Sequence, residues 1–268
     1  MNGAGSSGRE RIKSKTLRQT LFILALLTLW ELLARVGQLP ALLFPPISSV
    51  LQELVVQTMN GELIQRTGFS LYLIGTGLGL AVISALILTA FGVSSQIFGE
   101  WVQVLMAVFH PLPGIAILPV IILWLGTGAQ SIVAVIWLSA VWPMVANLNT
   151  GLTSIPATQI EVGRNLGLGR FALIRSVLLP GAFPHILSGL RVGWARAWQA
   201  AVAAEMVFGA CGGEGGLGWF IYKKRFFMEI PDVFAGMIVI VLIGLLVERM
   251  GFEWIETRTV KRWGMSLS

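Results

Sequence analysis

The amino-acid sequence predicts an all-α integral membrane protein with six transmembrane helices. The first observation is compositional: of 268 residues, 55% are hydrophobic and only 12% charged, where an ordinary soluble domain carries roughly a quarter charged residues. The second is a mean hydropathy of +0.79, which leaves too few polar side chains to cover a water-facing surface unless lipid is the solvent. The third is patterning. Reading with a window of roughly 17 to 25 residues, the length that crosses a bilayer, picks out spans near 19–36, 69–91, 101–125, 130–148, 185–209 and 233–250. These frame a membrane domain over 19–250, with tails over 1–18 and 251–268. A single cysteine, Cys211, excludes a disulfide-stapled secreted fold. The net charge of +6 needs no nucleic acid, because basic residues collect in loops that face the cytoplasm and its anionic leaflet.

The first span is a retained helix rather than a cleaved signal, since Trp30, Glu31 and Arg35 stand where a small-residue cleavage site would be. Arg9, Arg11, Lys13, Lys15 and Arg18 precede it, so the positive-inside rule puts the N-terminus in the cytoplasm, and six crossings return the C-terminus there. Asn2 to Gly8 is of low complexity and predicts an unstructured start. Pro45, Pro46 and Ser48 suit a turn opening a helix over 50–59. In the second span Gly75, Gly77 and Gly79 read as helix-packing positions, there being no preceding strand for a dinucleotide fingerprint. Pro111, Pro113 and Pro119 interrupt the third span. Proline breaks survive in a bilayer only beside other helices or a wet cavity, which predicts a third helix buried among others.

Between 155 and 180 the chain is too polar to cross and too apolar for a plain linker. Pro156 suits a first helical turn, and Ile160 and Leu166 give that helix an apolar side. Gly167 and Gly169 offer left-handed stops. A second short helix, Phe171 to Leu179, is predicted to end before Pro180. Such a hairpin suits docking into another protein's groove.

Here the residues resemble a known family. Glu161, Gly163, Gly167, Val177, Leu179 and Pro180 match the spacing of the EAA loop of ABC importer permeases: Glu-Ala-Ala, three residues, Gly, nine residues, Ile, any residue, Leu-Pro. Val162 and Gly163 replace the two alanines, and Val177 the isoleucine. Leu43 to Pro46, Pro111 to Gly128, Trp142-Pro143, Asn149 to Gly151 and Gly215 to Gly218 look like the nitrate, sulfonate, taurine and bicarbonate branch of these permeases, so that the resemblance covers nearly all of the chain from 40 onward.

The resemblance implies a type I ABC importer permease fold, a bacterial inner-membrane location and a homodimer. Two cytoplasmic ATPase subunits would seat the loop, and an extracytoplasmic binding protein would deliver a small anion or sulfonate-like solute. ATP and magnesium would sit on the ATPases, with no cofactor, metal or catalytic residue on this chain. Carried over, Glu161, Gly163, Arg164, Gly167, Leu168, Leu179 and Pro180 make the ATPase-coupling contact. For Glu161 the plain alternative is a carboxylate favouring a helix N-terminal half.

The fifth span carries Arg191, Arg196 and Glu205, each costing about 2.5–3.5 kcal/mol at a helix centre on insertion scales, so they must face protein or water. At about 100° per residue, Arg191, Trp194, Trp198 and Glu205 share a stripe roughly 60° wide, with Arg196 off it. Arg191 and Glu205 lie about 21 Å apart along the axis and cannot pair. Two readings stand: these residues line a translocation pathway, or they find partners on other spans. Gly189, Gly193, Ala197, Ala200 and Ala204 form a second face of small residues suited to close helix packing.

Other features carry less. Lys223, Lys224 and Arg225 would face outward, on an interfacial helix over 219–228 or as an anion-attracting vestibule. Gly212 to Gly218 lacks the Gly-Lys-Ser/Thr ending of a phosphate loop and reads as a linker. His110 and His185 stand alone, without a second ligand at metal spacing. The rival reading, an ion-driven secondary carrier, would call for inverted halves and mid-membrane acidic or histidine relays, and neither is evident. An intramembrane enzyme would need a carboxylate pair, a serine with histidine or a metal cluster, also absent from the spans.

Overall fold

A computed structural model describes residues 4–37, 40, 42–208 and 215–262, with side chains described from residue 17 onward. Among the described residues all regular structure is helical: α1 (Ala4–Val36), α2 (Ile47–Met59), α3 (Glu62–Ser94), α4 (Gln96–Phe109), α5 (Leu118–Leu125), α6 (Ala129–Thr153), α7 (Ala157–Asn165), α8 (Arg170–Leu173), α9 (Leu179–Phe208), α10 (Leu217–Phe226), α11 (Ile230–Leu246) and α12 (Glu253–Arg258). Five helical runs are long and apolar enough to cross a membrane, and six if a bent pair counts as one.

Helix α1 starts at Ala4, so the stretch to Gly8 expected to lack structure is helical from that residue on. Extending an existing helix by one residue gains a hydrogen bond without a new nucleation cost. Its far end is tied down by aromatic stacking of Trp30 on Phe44 and edge-on against Phe234, both at 5.3 Å. The Trp30 indole donates to the Pro45 carbonyl at 2.9 Å. Glu31 accepts from Arg35, from the Ser48 hydroxyl and from the Ser48 backbone. Residues 44–48, predicted as a helix-opening turn, are therefore also the anchor of α1.

The core lies where α6 packs along α3 and α9. Gly77 lets α3 approach Ile136, whose Cβ would lie 2.7 Å from an added methyl. Gly75 and Gly79 face open space, so among the described residues only one of the three expected packing glycines is in close contact. The small-residue face of α9 meets α6 as expected. A Cβ on Gly189 would come within 2.9 Å of Asn147, and one on Gly193 within 3.2 Å of the Met144 sulfur.

The third span departs from the expectation in two ways. It is not one helix: α4 ends at Phe109, residues 114–117 form a 3₁₀ turn, and the two halves meet at 89°. Pro111 and Pro113 have no N–H to continue the ladder, and the break falls there. Nor is it buried among the helices of this chain: Trp101, Val104, Val108, Trp124 and, at 83%, Leu123 are exposed.

The second correction concerns the polar loop. Helix α8 does not stop before Pro180. A π turn over 174–178 carries it into α9, making one helical run from Arg170 to Phe208. Pro180 occupies the first turn of α9, where the widened turn makes room for a residue without a donor.

Candidate functional site: a coupling elbow joined to a lined cavity

The elbow is built by α7, a turn over 166–169 and α8. Gly167 adopts φ +76°, the left-handed stop its position predicts, whereas Gly169 is extended. The turn closes through hydrogen bonds from the Gly167 N–H to the Arg164 carbonyl, 2.9 Å, and from the Leu168 N–H to the Gly163 carbonyl, 3.1 Å. Gly163 is buried against α8: an added Cβ would stand 2.6 Å from Leu173 and 3.4 Å from Val177. This glycine, in place of the usual alanine, sets the closeness of the two arms.

Glu161 and Arg164 point to solvent, Leu168 and Pro180 are half-buried, and Leu179 is exposed. Ile160 is half-buried as expected, but Leu166 is 74% exposed and Phe171 77%, with Val162 exposed beside them. The arms thus present apolar side chains outward, with Glu161, Arg164 and Arg170 around them. An open groove of about 480 Å³ separates α7 from the start of α9, lined by Thr158, Val162, Val177 and Pro180.

On α9, Arg191 forms ion pairs with Glu248 at 3.1 Å and Glu256 at 2.9 Å, and its guanidinium lies 5.7 Å from the Phe252 ring. Trp194 and Trp198 stack at 5.7 Å, the latter buried. Glu205 is 1% exposed. It accepts from the Ser70 hydroxyl at 2.8 Å and from the Gly218 N–H at 2.8 Å, while Ser70 accepts from the Leu217 N–H at 2.9 Å. The stripe therefore faces the inside of the chain's own bundle, and its charges have the cross-span partners of the second reading. Sequence spacing could not show this, because Ser70, Glu248 and Glu256 lie far away along the chain.

The open face of α9 is a different one: Val192, Ala195, Arg196 and Gln199 are exposed. Arg196 borders a cavity of about 210 Å³ near the middle of α6 and α9, together with His110, Ser139, Trp142, Pro143 and Gln199. The turn after α4 reaches it because Gly114 sits against Ser139 with no room for a side chain. Trp142 stacks on Phe109 at 5.4 Å, 9° from parallel. Sequence reading missed Gln199 and Ser139 and treated His110 as isolated. The available signal was that Gln199 follows Arg196 by three residues on one helical face.

The basic cluster of α10 is also tied to the rest of the chain. Leu217, Gly218, Phe220 and Ile221 of α10 are buried, so the helix is packed into the bundle by its first half rather than merely lying on a surface. Lys224 bridges Glu229 at 2.7 Å and Asp232 at 3.4 Å, and Asp232 accepts from Gln57 at 2.7 Å. Partial burial alone pulls the Lys224 amine down, but the Glu229 hydrogen bond and the two carboxylates hold it above its ordinary value. Residues 212–214 of the glycine-rich linker, and Cys211, lie outside the described residues.

A bundle of long apolar helices with a proline-broken pair, a polar cavity along its longest helical run and a projecting elbow is the architecture of a multi-pass membrane protein. The comparisons define it further. Residues 77–259 match the family described as binding-protein-dependent transport system inner membrane component, and the chain belongs to that family. It is 30% identical over 87% of its length to the taurine transport system permease protein TauC of Escherichia coli, covering 85% of that protein. It is 30% identical over 89% to a putative aliphatic sulfonates transport permease of Bacillus subtilis, 84% of which is covered. The nitrate import permease of Synechocystis is 27% identical over 88% of this chain and 86% of its own. Among solved structures, a chain of the inward-facing MetNI methionine ABC transporter shares the fold with a TM-score of 0.63 at 17% identity, covering 75% of this chain and 98% of that one. The protein is thus an ABC importer permease, a multi-pass inner-membrane transport subunit rather than an enzyme, working with an ATPase and a binding protein.

Proposed function

We propose that the chain forms, as a homodimer, the pathway by which a small anion or sulfonate-like solute enters the cell, with two ATPases seated on its elbows and both termini cytoplasmic. The observation that carries this reading is the unbroken helical run from Arg170 to Phe208. It joins the outward-facing apolar tip of the elbow to the Arg196 cavity, so displacement at the tip moves the cavity wall as a lever. Glu161, Arg164, Leu168 and Leu179 meet the ATPase. Gly163, Gly167 and Pro180 shape the elbow that presents them. ATP and magnesium belong to the ATPases; closure of that pair biases the two copies toward an outward-open state and hydrolysis resets them.

The pathway runs along the open face of α9 at Arg196, while Arg191, Trp194, Trp198 and Glu205 lie on the other side of the helix, closed into the bundle and outside the pathway. The second copy covers the broken span, because backbone freed by prolines is tolerated in hydrocarbon only beside protein or a wet cavity. The cargo class rests on the relatives, which carry taurine, sulfonates and nitrate by name. Reconstitution with the matching ATPase tests the whole: uptake into liposomes is expected only with ATP on the elbow side and binding protein on the other. Uptake driven by an ion gradient alone would overturn it.

A further inference from the structure

The cavity at Arg196 has a composition that its place in a membrane does not require. Its polar lining offers donors from Arg196, Gln199 and His110. Ser139 spends its proton on the Val135 carbonyl at 2.7 Å. Among the described residues, no Asp or Glu lines the space. Among the described residues Arg196, Gln199 and His110 have no side-chain hydrogen bond or ion pair, and Trp142, 7% exposed, keeps its Nε1 buried without a partner.

Elsewhere on the same helix the charged side chains have protein partners: Arg191 forms ion pairs with two carboxylates and Glu205 accepts from two donors. An intramembrane ionisable side chain without an internal partner marks a ligand path.

Resting on the importer reading, we propose that this cavity is a transit site for the oxyanion group of the cargo, a nitrate, bicarbonate or sulfonate. The Arg196 guanidinium forks onto two of its oxygens, and the Gln199 amide serves another. The site gives the permease an anion filter of its own behind the binding protein. A cation finds no acceptor charge there, and a zwitterion can present only its anionic end.

Methanesulfonate is a suitable probe, being a pure anion with observable protons. Saturation-transfer NMR on the complete permease–ATPase complex is expected to show transfer to methanesulfonate that nitrate and bicarbonate compete away and choline does not. Arg196→Gln should weaken binding at least fivefold and Gln199→Leu by less, Arg196→Lys should retain part, and Arg191→Gln should leave it unchanged. No transfer in the wild type, or an Arg196→Gln variant that binds as the wild type does, overturns the site. Stimulation of ATP hydrolysis by the binding protein, measured on the same preparation, separates the two claims. Intact stimulation without anion binding removes the filter and leaves the importer, while anion binding without stimulation does the reverse.

Discussion

Arg191 and Arg196 stand five residues apart on one helix and live in opposite circumstances. Arg191 is held by Glu248 and Glu256 of the last helical run, and with it the stripe down to Glu205 is closed into the bundle. Arg196 has no partner among the described residues and borders a cavity. A charge in an apolar helix states that something must satisfy it; only the fold tells whether that is the protein itself or a visitor. The closed face should answer to substitution through stability, the open face through transport.

The largest effect is expected on the closed face. Glu205→Ala strands the Gly218 N–H and the Ser70 hydroxyl proton in a dry site, at about 1–3 kcal/mol for each group left unmet. The expected result is loss of folded protein in a detergent thermostability assay; a variant as stable as wild type would break the distinction. Next is the elbow. Gly163→Val must push Leu173 and Val177 aside, and overpacking of this kind costs about 1–3 kcal/mol. The expected readout is an ATPase that co-purifies poorly with a permease whose membrane bundle is otherwise intact. Gly167→Ala forces a side chain to φ +76°, worth about 1–2 kcal/mol, and should lower uptake without abolishing assembly. The smallest change is Arg191→Gln. Its partly exposed ion pairs are worth about 1 kcal/mol or less, so uptake per assembled complex should match wild type; a severe transport defect would return the stripe to the pathway.

The spans and the elbow were readable because they are local: apolar runs, a proline at a helix start, a glycine at a left-handed stop and a fixed spacing from Glu161 to Pro180 all fall within short stretches. What escaped was non-local. Helical periodicity put Arg191 and Glu205 on one face but could not say which way that face turns, since the decision lies with Ser70, Glu248 and Glu256. The three prolines announced a break, yet not its 89° angle nor that α4 and α5 stay exposed in a single copy. In the sequence Pro180 reads as a stop, because proline interrupts the helical hydrogen-bond ladder. The π turn before it allowed the helix to continue, and that continuity turned a separate hairpin into the arm of a lever.

The lever is the central claim, and a flexible insert tests it most directly. Two glycines placed between His185 and Ile186, beyond the elbow residues that end at Pro180 and short of the cavity residues at Arg196 and Gln199, uncouple the arm. Measured in proteoliposomes with ATP and binding protein, the account predicts that the complex still hydrolyses ATP but accumulates no solute. Uptake at the wild-type rate would contradict it.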